Sequence, residues 1–334
     1  MPRDSRRSTR REFIQQTAAG VTIASLAPSA WTAAAVGEMP MRDFGNTGEK
    51  VSALGVGGHA IGQIKEDQES VDFIREAIDL GATFLDNAWE YHGGRAEELM
   101  GRALRDGYRD KAFLMTKHHG RKEKSMAMEH LEDSLRRLET DVIDLWQFHE
   151  VVYDDDPDMI FSEGGAIEAA DEAKQQGKVR YIGFTGHKDP AIFKKMLDHD
   201  YKWDAVQMPV NVMDPHYRSF INEILPILNE RGIAPIAMKT MGGGHILRAN
   251  VVEPKEALRF AWSQPIATLV SGMSSRDILH QNVELAQSFE PMNEEEQIAL
   301  LERTKAFAVA GEFEPFKSTN GYDGPVGRKI HGIA

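Results

Sequence analysis

The chain has 334 residues with 41% hydrophobic content, a formal net charge of −13 and no cysteine. The absence of cysteine excludes disulfides, thiolate catalysis and any metal site that needs a cysteine ligand. The acidic balance argues against nucleic acid or an anionic membrane as a partner, because both require clustered Lys or Arg. A chain of this length can form one large α/β barrel or two smaller domains.

Residues 1–35 have the order of an export signal: basic residues, then a weakly apolar segment over 17–27, then small residues. Within it, TRREFIQ resembles a twin-arginine signal, with Arg10 and Arg11 as the pair. No stable membrane insertion is expected, because a bilayer core requires ~20 apolar residues. We expect the twin-arginine translocase as a partner and a periplasmic or extracellular location, with a disordered basic tail as the alternative. Without this segment the formal charge changes from −13 to −16, since five arginines and two acidic residues are lost.

From Val51 onward, eight short apolar runs alternate with polar segments of helical spacing. Near-continuous apolar strands are typical of a parallel sheet that is buried on both faces. The alternation over 41–310 predicts a single α/β domain, a (β/α)8 TIM barrel; a doubly wound sheet is less favoured because no GxGxxG motif opens the first unit. Residues 311–334 contain turn formers and are expected to pack on the barrel as a C-terminal tail. The runs are VSALGVGG, TFLDNA, AFLMTKH, VIDLWQFHE, RYIGFTGH, AVQMPVN, IAPIAMKT and ATLVSGMS.

Polar residues follow three consecutive runs at the points where the predicted strands end. Asp86 and Tyr91 come after the second run, Lys117 stands near the end of the third, and His149 stands near the end of the fourth. Because the catalytic face of a barrel lies at the carboxyl ends of its strands, we expect these side chains to meet. Their mutual pairing would offset the cost of burying charged and polar groups in an apolar setting.

These four side chains are suited to general acid catalysis. We predict that the ammonium of Lys117 lowers the pKa of the Tyr91 phenol from its usual ~10, while Asp86 keeps the ammonium charged. Tyr91 would then protonate a carbonyl oxygen, and His149 would either hydrogen-bond to that oxygen or share the proton. The hydride for such a reduction must come from a cofactor, because no side chain supplies one.

The segments FLDNAWEYHGG, LMTKH, LWQFHEV, GKVRYIGFTGH and VQMPVN resemble the aldo/keto reductase family, and the likeness covers essentially the whole mature chain. The resemblance implies NADP-dependent reduction of a small-molecule aldehyde or ketone to an alcohol. It implies that Tyr91 is the proton donor and that His149 orients the carbonyl, while Lys117 and Asp86 tune the phenol. It also implies that MRDFGNTGEKVSALG contains a β-hairpin that closes the bottom of the barrel.

The resemblance further implies a site for NADP(H), with NAD(H) left possible. Gln207 matches the glutamine that holds the nicotinamide carboxamide in this family. The usual Ser-Asn pair after the fifth strand is replaced by Thr185 and Gly186, so one carboxamide contact is altered. Met238 stands where many members stack a tyrosine on the nicotinamide ring, and its thioether offers a polarizable surface instead.

The phosphate end of the cofactor site departs further from the family. Lys239 and the three glycines Gly242, Gly243 and Gly244 are expected to receive the pyrophosphate, because glycines let backbone N–H groups approach it closely. The alternative is that these glycines only form a flexible loop. The basic residues that the family uses for the 2′-phosphate align with Gly272 and Ile278. The residues that remain to bind the 2′-phosphate are Ser274, Ser275, Arg276 and Asn282.

Two other functions are weighed against the reductase. A non-catalytic nucleotide-binding sensor barrel is the first, because an exported protein has no evident supply of NADPH. A metal-dependent hydrolase on a TIM barrel is the second and less favoured, since the first run lacks a His-x-His pair and the last run, ATLVSGMS, has no aspartate. No metal ligand is assigned. The hydrolase would use histidines at or just past the strand ends, which are His59, His92, His118, His119, His149 and His187.

Overall fold

Eight parallel strands close on themselves into a barrel, in which each strand hydrogen-bonds to the next along the chain and the last pairs with the first. The computed structural model describes residues 37–333. The predicted (β/α)8 barrel is confirmed, and the doubly wound alternative is wrong. The barrel strands are β3 (Leu54–Gly57), β4 (Phe84–Asp86), β5 (Phe113–His118), β6 (Ile143–Phe148), β7 (Val179–Thr185), β8 (Ala205–Pro209), β9 (Ala234–Met238) and β10 (Thr268–Ser271).

A helix follows each barrel strand and packs its apolar side against the sheet. The helix Lys124–Arg137 shows the pattern, since it buries Ala127, Leu131 and Leu135 at intervals of four residues. The strands are covered on both sides, so every residue of β5 and β6 is buried. The α-helices are Gly58–Ile61, Asp67–Asp79, Arg95–Ala103, Lys124–Arg137, Asp156–Ile160, Ile167–Gln175, Pro190–Asp198, Phe220–Glu223, Leu225–Arg231, Pro254–Trp262, Arg276–Gln287, Glu294–Thr304, Pro315–Ser318 and Pro325–Ile330.

The amino-terminal end of the barrel is closed by a two-stranded antiparallel sheet, as the sequence predicted. Its strands are β1 (Met41–Asp43) and β2 (Lys50–Ser52). Phe44, which directly follows β1, is wholly buried, and the centroid of its ring lies 4.9 Å from that of Phe113 and 6.4 Å from that of Phe84. These aromatic rings fill the bottom of the barrel, so among residues 37–333 the open end is the one at the carboxyl ends of the strands.

The C-terminal segment lies over that open end. Lys317 is buried there, and its Nζ is 2.7 Å from Asp214 Oδ1 and 2.9 Å from Glu314 Oε1. Further along, Lys188 donates a 2.5 Å hydrogen bond to Asp323. These contacts attach the segment after residue 311 to the loops that follow β7 and β8. Within residues 37–333, no helix combines the length and the apolar content that crossing a bilayer requires.

Candidate active site

A cavity of about 820 Å³ opens at the carboxyl ends of the barrel strands. All four residues of the predicted catalytic group line it, together with six of the ten predicted cofactor residues. Gly242, Ser275, Arg276 and Asn282 do not line it. The predicted residues in its wall are Asp86, Tyr91, Lys117, His149, Thr185, Gln207, Met238, Lys239, Gly243 and Ser274.

Lys117 contacts several polar groups at this cavity. Its Nζ donates 2.7 Å hydrogen bonds to Asp86 Oδ1 and to the backbone carbonyl of Asn87, and it lies 3.4 Å from the Tyr91 hydroxyl. Both charged side chains of the pair are almost wholly buried, at 2% exposure for Lys117 and 4% for Asp86. Burial lowers the pKa of the Lys117 ammonium, and Asp86 opposes this effect. Asp86 also accepts a 2.5 Å hydrogen bond from Gln207 Nε2.

The half-buried Tyr91 has a pKa opposite to the one the sequence predicted. Burial, followed by the charges of Asp86, Glu90 and Glu150, raises the pKa of its phenol well above the usual value. The prediction of a lowered pKa for Tyr91 is therefore wrong, because burial and nearby carboxylates outweigh the effect of the Lys117 ammonium. That prediction considered the ammonium without its surroundings. Asp86 neutralises the ammonium at 2.7 Å, and further carboxylates lie near the phenol. The phenol consequently stays protonated at neutral pH, which is the form required of an acid.

His149 is buried in the cavity wall, with its ring edge-on to that of Tyr91 at a centroid distance of 5.6 Å. Burial lowers the pKa of its imidazole to about 4, so the ring is neutral at pH 7. Its Nδ1 lies 3.3 Å from Glu90 Oε1, and the same oxygen is 3.0 Å from His119 Nε2. Sequence reasoning missed Glu90, although its position directly before Tyr91 in the strand-end cluster was a usable signal.

The nicotinamide end of the predicted cofactor site is assembled at the ends of β7, β8 and β9. Gln207 uses its Nε2 on Asp86, which leaves its Oε1 buried and without a hydrogen-bond partner among residues 37–333. A buried acceptor of this kind is suited to the N–H groups of a carboxamide. The Thr185 hydroxyl lies 4.0 Å from the sulfur of Met238, so these two side chains form the adjacent wall. These residues therefore fit a nicotinamide.

The loop after β9 forms part of the cavity wall and contributes two glycines to it. Lys239, Gly243 and Gly244 have left-handed φ values of 58°, 66° and 90°. A side chain added at Gly244 would meet open space, so its backbone is accessible to an anion. Lys239 donates a 2.9 Å hydrogen bond to the hydroxyl of Tyr322, a tail residue that also lines the cavity. Sequence reasoning missed Tyr322, because nothing local in the sequence relates two residues that are 83 positions apart.

The predicted residues of the last unit have other partners. Ser275 caps the helix Arg276–Gln287, and Asn282 donates a hydrogen bond to Ser271. Arg276 Nε lies 3.0 Å from Glu76 Oε2, so its charge is shared with a carboxylate that sequence reasoning did not identify. Of the four residues predicted for the 2′-phosphate, Ser274 alone lines the cavity, and Arg276 alone carries a positive charge.

The histidines considered for a hydrolytic metal site do not form one cluster. The ring of His118 stacks on Trp146 at 4.0 Å, and His187 Nδ1 lies 2.9 Å from the backbone carbonyl of Phe316. His59 packs against His92 at a centroid distance of 4.9 Å. The remaining two of the six, His119 and His149, approach each other at Glu90.

Comparison with known proteins places this geometry in a family. Residues 53–309 match the family model described as the aldo/keto reductase family. The uncharacterized oxidoreductase YqkF of Bacillus subtilis (strain 168) is 26% identical over 313 residues, which cover 80% of this chain and 97% of that protein. An L-galactose dehydrogenase of Arabidopsis thaliana is 31% identical over 226 residues, which cover 62% of this chain and 67% of that protein. Among solved structures, the holo form of an aldo-keto reductase from Bacillus halodurans has a TM-score of 0.67 at 26% identity, covering 80% of this chain and 96% of that one.

Proposed function

This chain belongs to the aldo/keto reductase family of oxidoreductases, and on that premise we propose that Tyr91 protonates the carbonyl oxygen of an aldehyde or ketone while NADP(H) serves as the cofactor. The observation that carries the proposal is the contact of Lys117 Nζ with Asp86 at 2.7 Å and with the Tyr91 hydroxyl at 3.4 Å inside one cavity. An ammonium beside a phenol stabilises the phenolate that forms when the proton is given up, so this arrangement suits general acid catalysis.

Each of the four proposed catalytic residues has a separate role in the reduction. A nicotinamide held by Thr185, Gln207 and Met238 would supply the hydride that the carbonyl carbon receives. Tyr91 gives its proton to the carbonyl oxygen, and the Lys117 ammonium at 3.4 Å stabilises the phenolate that remains. The neutral imidazole of His149 positions the oxygen by hydrogen bonding. Asp86 holds both Lys117 and Gln207, so it links the proton donor to the carboxamide site.

A titration of the protein with NADPH and NADH, followed by fluorescence, tests this proposal together with turnover of a carbonyl panel. Sugars belong in the panel because a relative is named L-galactose dehydrogenase. We expect nucleotide binding and NADPH oxidation that depends on the carbonyl compound. Binding without turnover of any substrate would favour the sensor barrel. Failure to bind either nucleotide would contradict the proposed reductase reaction.

Recognition of the 2′-phosphate is assigned to Arg276, the basic residue that begins the last barrel helix. We expect Arg276→Ala to raise the Kd for NADPH about 10-fold and to leave the Kd for NADH unchanged, since a hydrogen bond to a charged group contributes about 1.5–3 kcal/mol. Glu76→Gln should lower the Kd for NADPH, because Glu76 competes for the same guanidinium at 3.0 Å. Both constants are measured at low salt, where surface charges are least screened.

Glu69→Gln is the matched control for this pair of variants, because it removes an exposed carboxylate from the same helix, Asp67–Asp79. It should leave both dissociation constants unchanged. If Arg276→Ala affects NADPH and NADH equally, the assignment of the 2′-phosphate to Arg276 fails and NAD(H) becomes the expected cofactor.

Export through the twin-arginine pathway is part of the proposal and rests on the sequence of residues 1–35 alone. These residues lie outside the part of the chain that the structure describes. Their support is the position of Arg10 and Arg11 ahead of a weakly apolar segment. The translocase as a partner and the periplasmic or extracellular location therefore stay predictions.

A further inference from the structure

Three side chains with metal-ligating atoms converge beside Tyr91. Glu90 Oε1 lies 3.0 Å from His119 Nε2 and 3.3 Å from His149 Nδ1, and the three ligand atoms are all within 4.8 Å of one another. His119 has no exposed surface, whereas Glu90 and His149 line the cavity. The cluster is thus embedded in the barrel wall and has one side toward the space that receives small molecules.

The polar atoms of this cluster are poorly satisfied. Both ring nitrogens of His119, Nδ1 of His149 and Oε2 of Glu90 are buried, and none has a hydrogen-bond partner among residues 37–333. The contacts at 3.0 and 3.3 Å are close but lack hydrogen-bond geometry. A buried polar atom without a partner is costly to a fold. A shared cation would satisfy one nitrogen of each imidazole, His119 Nε2 and His149 Nδ1, together with the Glu90 carboxylate.

We propose that Glu90, His119 and His149 bind one divalent transition-metal ion of the Zn²⁺ class. Two imidazoles and one carboxylate form a ligand set that suits such ions, and a site with three protein ligands keeps a further position open. Ligand atoms at ~2.1 Å from a tetrahedral ion are ~3.4 Å apart. The separations of 3.0 and 3.3 Å from Glu90 are close to that value. All three ligand atoms lie within 4.8 Å of one another, so the two imidazole rings would turn toward a shared ion when it binds.

The remaining coordination position of the ion would face the cavity, because Glu90 and His149 both line it. Its ligand there would be water or an oxygen of a bound small molecule. Lys117 does not oppose the ion with a free charge, since Asp86 neutralises it at 2.7 Å. The proposal concerns metal binding by these three side chains and does not depend on the reductase reaction.

Calorimetric titration of the EDTA-treated, dialysed protein with Zn²⁺ tests the site in the absence of nucleotide. We expect one Zn²⁺ per chain and a rise in Tm when the ion binds. Glu90→Gln and His119→Gln should each weaken binding at least about 100-fold, since even residues outside the first coordination shell change metal affinity 10–100-fold. Glu90 is only partly buried, so Glu90→Gln gives a folded variant if His119→Gln does not.

His59→Asn is the control, because His59 lines the same cavity but lies outside the cluster. It should keep the wild-type affinity and stoichiometry for Zn²⁺. Absence of Zn²⁺ binding to the wild-type protein would overturn the proposal, as would binding that Glu90→Gln leaves intact. Because no nucleotide or carbonyl compound is present, either result leaves the proposed reductase function untouched, and loss of reductase activity would not argue against the metal site.

Discussion

Tyr91→Phe is expected to lower kcat for carbonyl reduction by about 10²- to 10⁴-fold while the Kd for NADPH stays unchanged. That range is typical for removal of a general acid. Phenylalanine keeps the ring that packs edge-on to His59 and His149 but has no proton to donate. The measurement is steady-state turnover of the best substrate in the carbonyl panel, together with a fluorescence titration of the nucleotide.

Tyr153→Phe is the control for this variant, because the hydroxyl of Tyr153 donates to Asp323 in the tail and does not line the cavity. It should retain the wild-type kcat. If Tyr91→Phe kept more than about a tenth of the wild-type kcat, Tyr91 would not be the proton donor.

The pH dependence of kcat/KM for the wild-type enzyme also tests the role of the Tyr91 phenol. An acid with a raised pKa stays protonated until the pH passes that raised value. Because burial and nearby carboxylates raise the pKa of Tyr91 above its usual ~10, the phenol should stay protonated through about pH 9. The contrary result would be a fall in wild-type kcat/KM with a midpoint at about pH 8 that is absent from Tyr91→Phe. It would show that the effect of Lys117 on the pKa of the Tyr91 phenol outweighs burial and the nearby carboxylates.

Lys117→Met is expected to abolish turnover and also to lower the free energy of unfolding by roughly 3–5 kcal/mol. The stability loss arises because Asp86 is left buried without its counter-charge, which is the usual cost of removing one partner of a buried ion pair. The lysine also donates to the backbone carbonyl of Asn87, so that acceptor loses its hydrogen bond. Equilibrium unfolding in urea measures the change.

Two further variants separate stability from catalysis. Lys111→Met removes a lysine from an ion pair with Asp79 that is exposed at both ends, so it should cost less than about 1 kcal/mol. The double variant Asp86→Asn with Lys117→Met removes both buried charges and should recover much of the lost stability without recovering turnover. If the double variant were as unstable as Lys117→Met alone, the uncompensated charge of Asp86 would not be the cause.

The barrel, and the convergence of the four proposed catalytic side chains in one cavity, could be predicted because each follows from short-range sequence patterns. The alternation of apolar runs with helical segments identifies strands buried on both faces, as β5 and β6 are. Parallel strands in a closed barrel have their carboxyl ends at one mouth. Residues at successive strand ends, such as Asp86 and Lys117, therefore lie close together, and this proximity does not depend on the positions of the intervening helices.

The contacts that tune the site could not be predicted, because they join side chains whose distance no local pattern encodes. Glu76 meets Arg276 across 200 positions, and Tyr322 reaches Lys239 from the tail. The raised pKa of Tyr91 has the same origin, since it results from burial and from the field of several carboxylates. Strand periodicity and strand-end chemistry are thus properties of the amino-acid sequence. Burial, counter-charges and loop-to-loop contacts exist only after the barrel closes, because solvent exclusion and electrostatic fields depend on the whole three-dimensional arrangement.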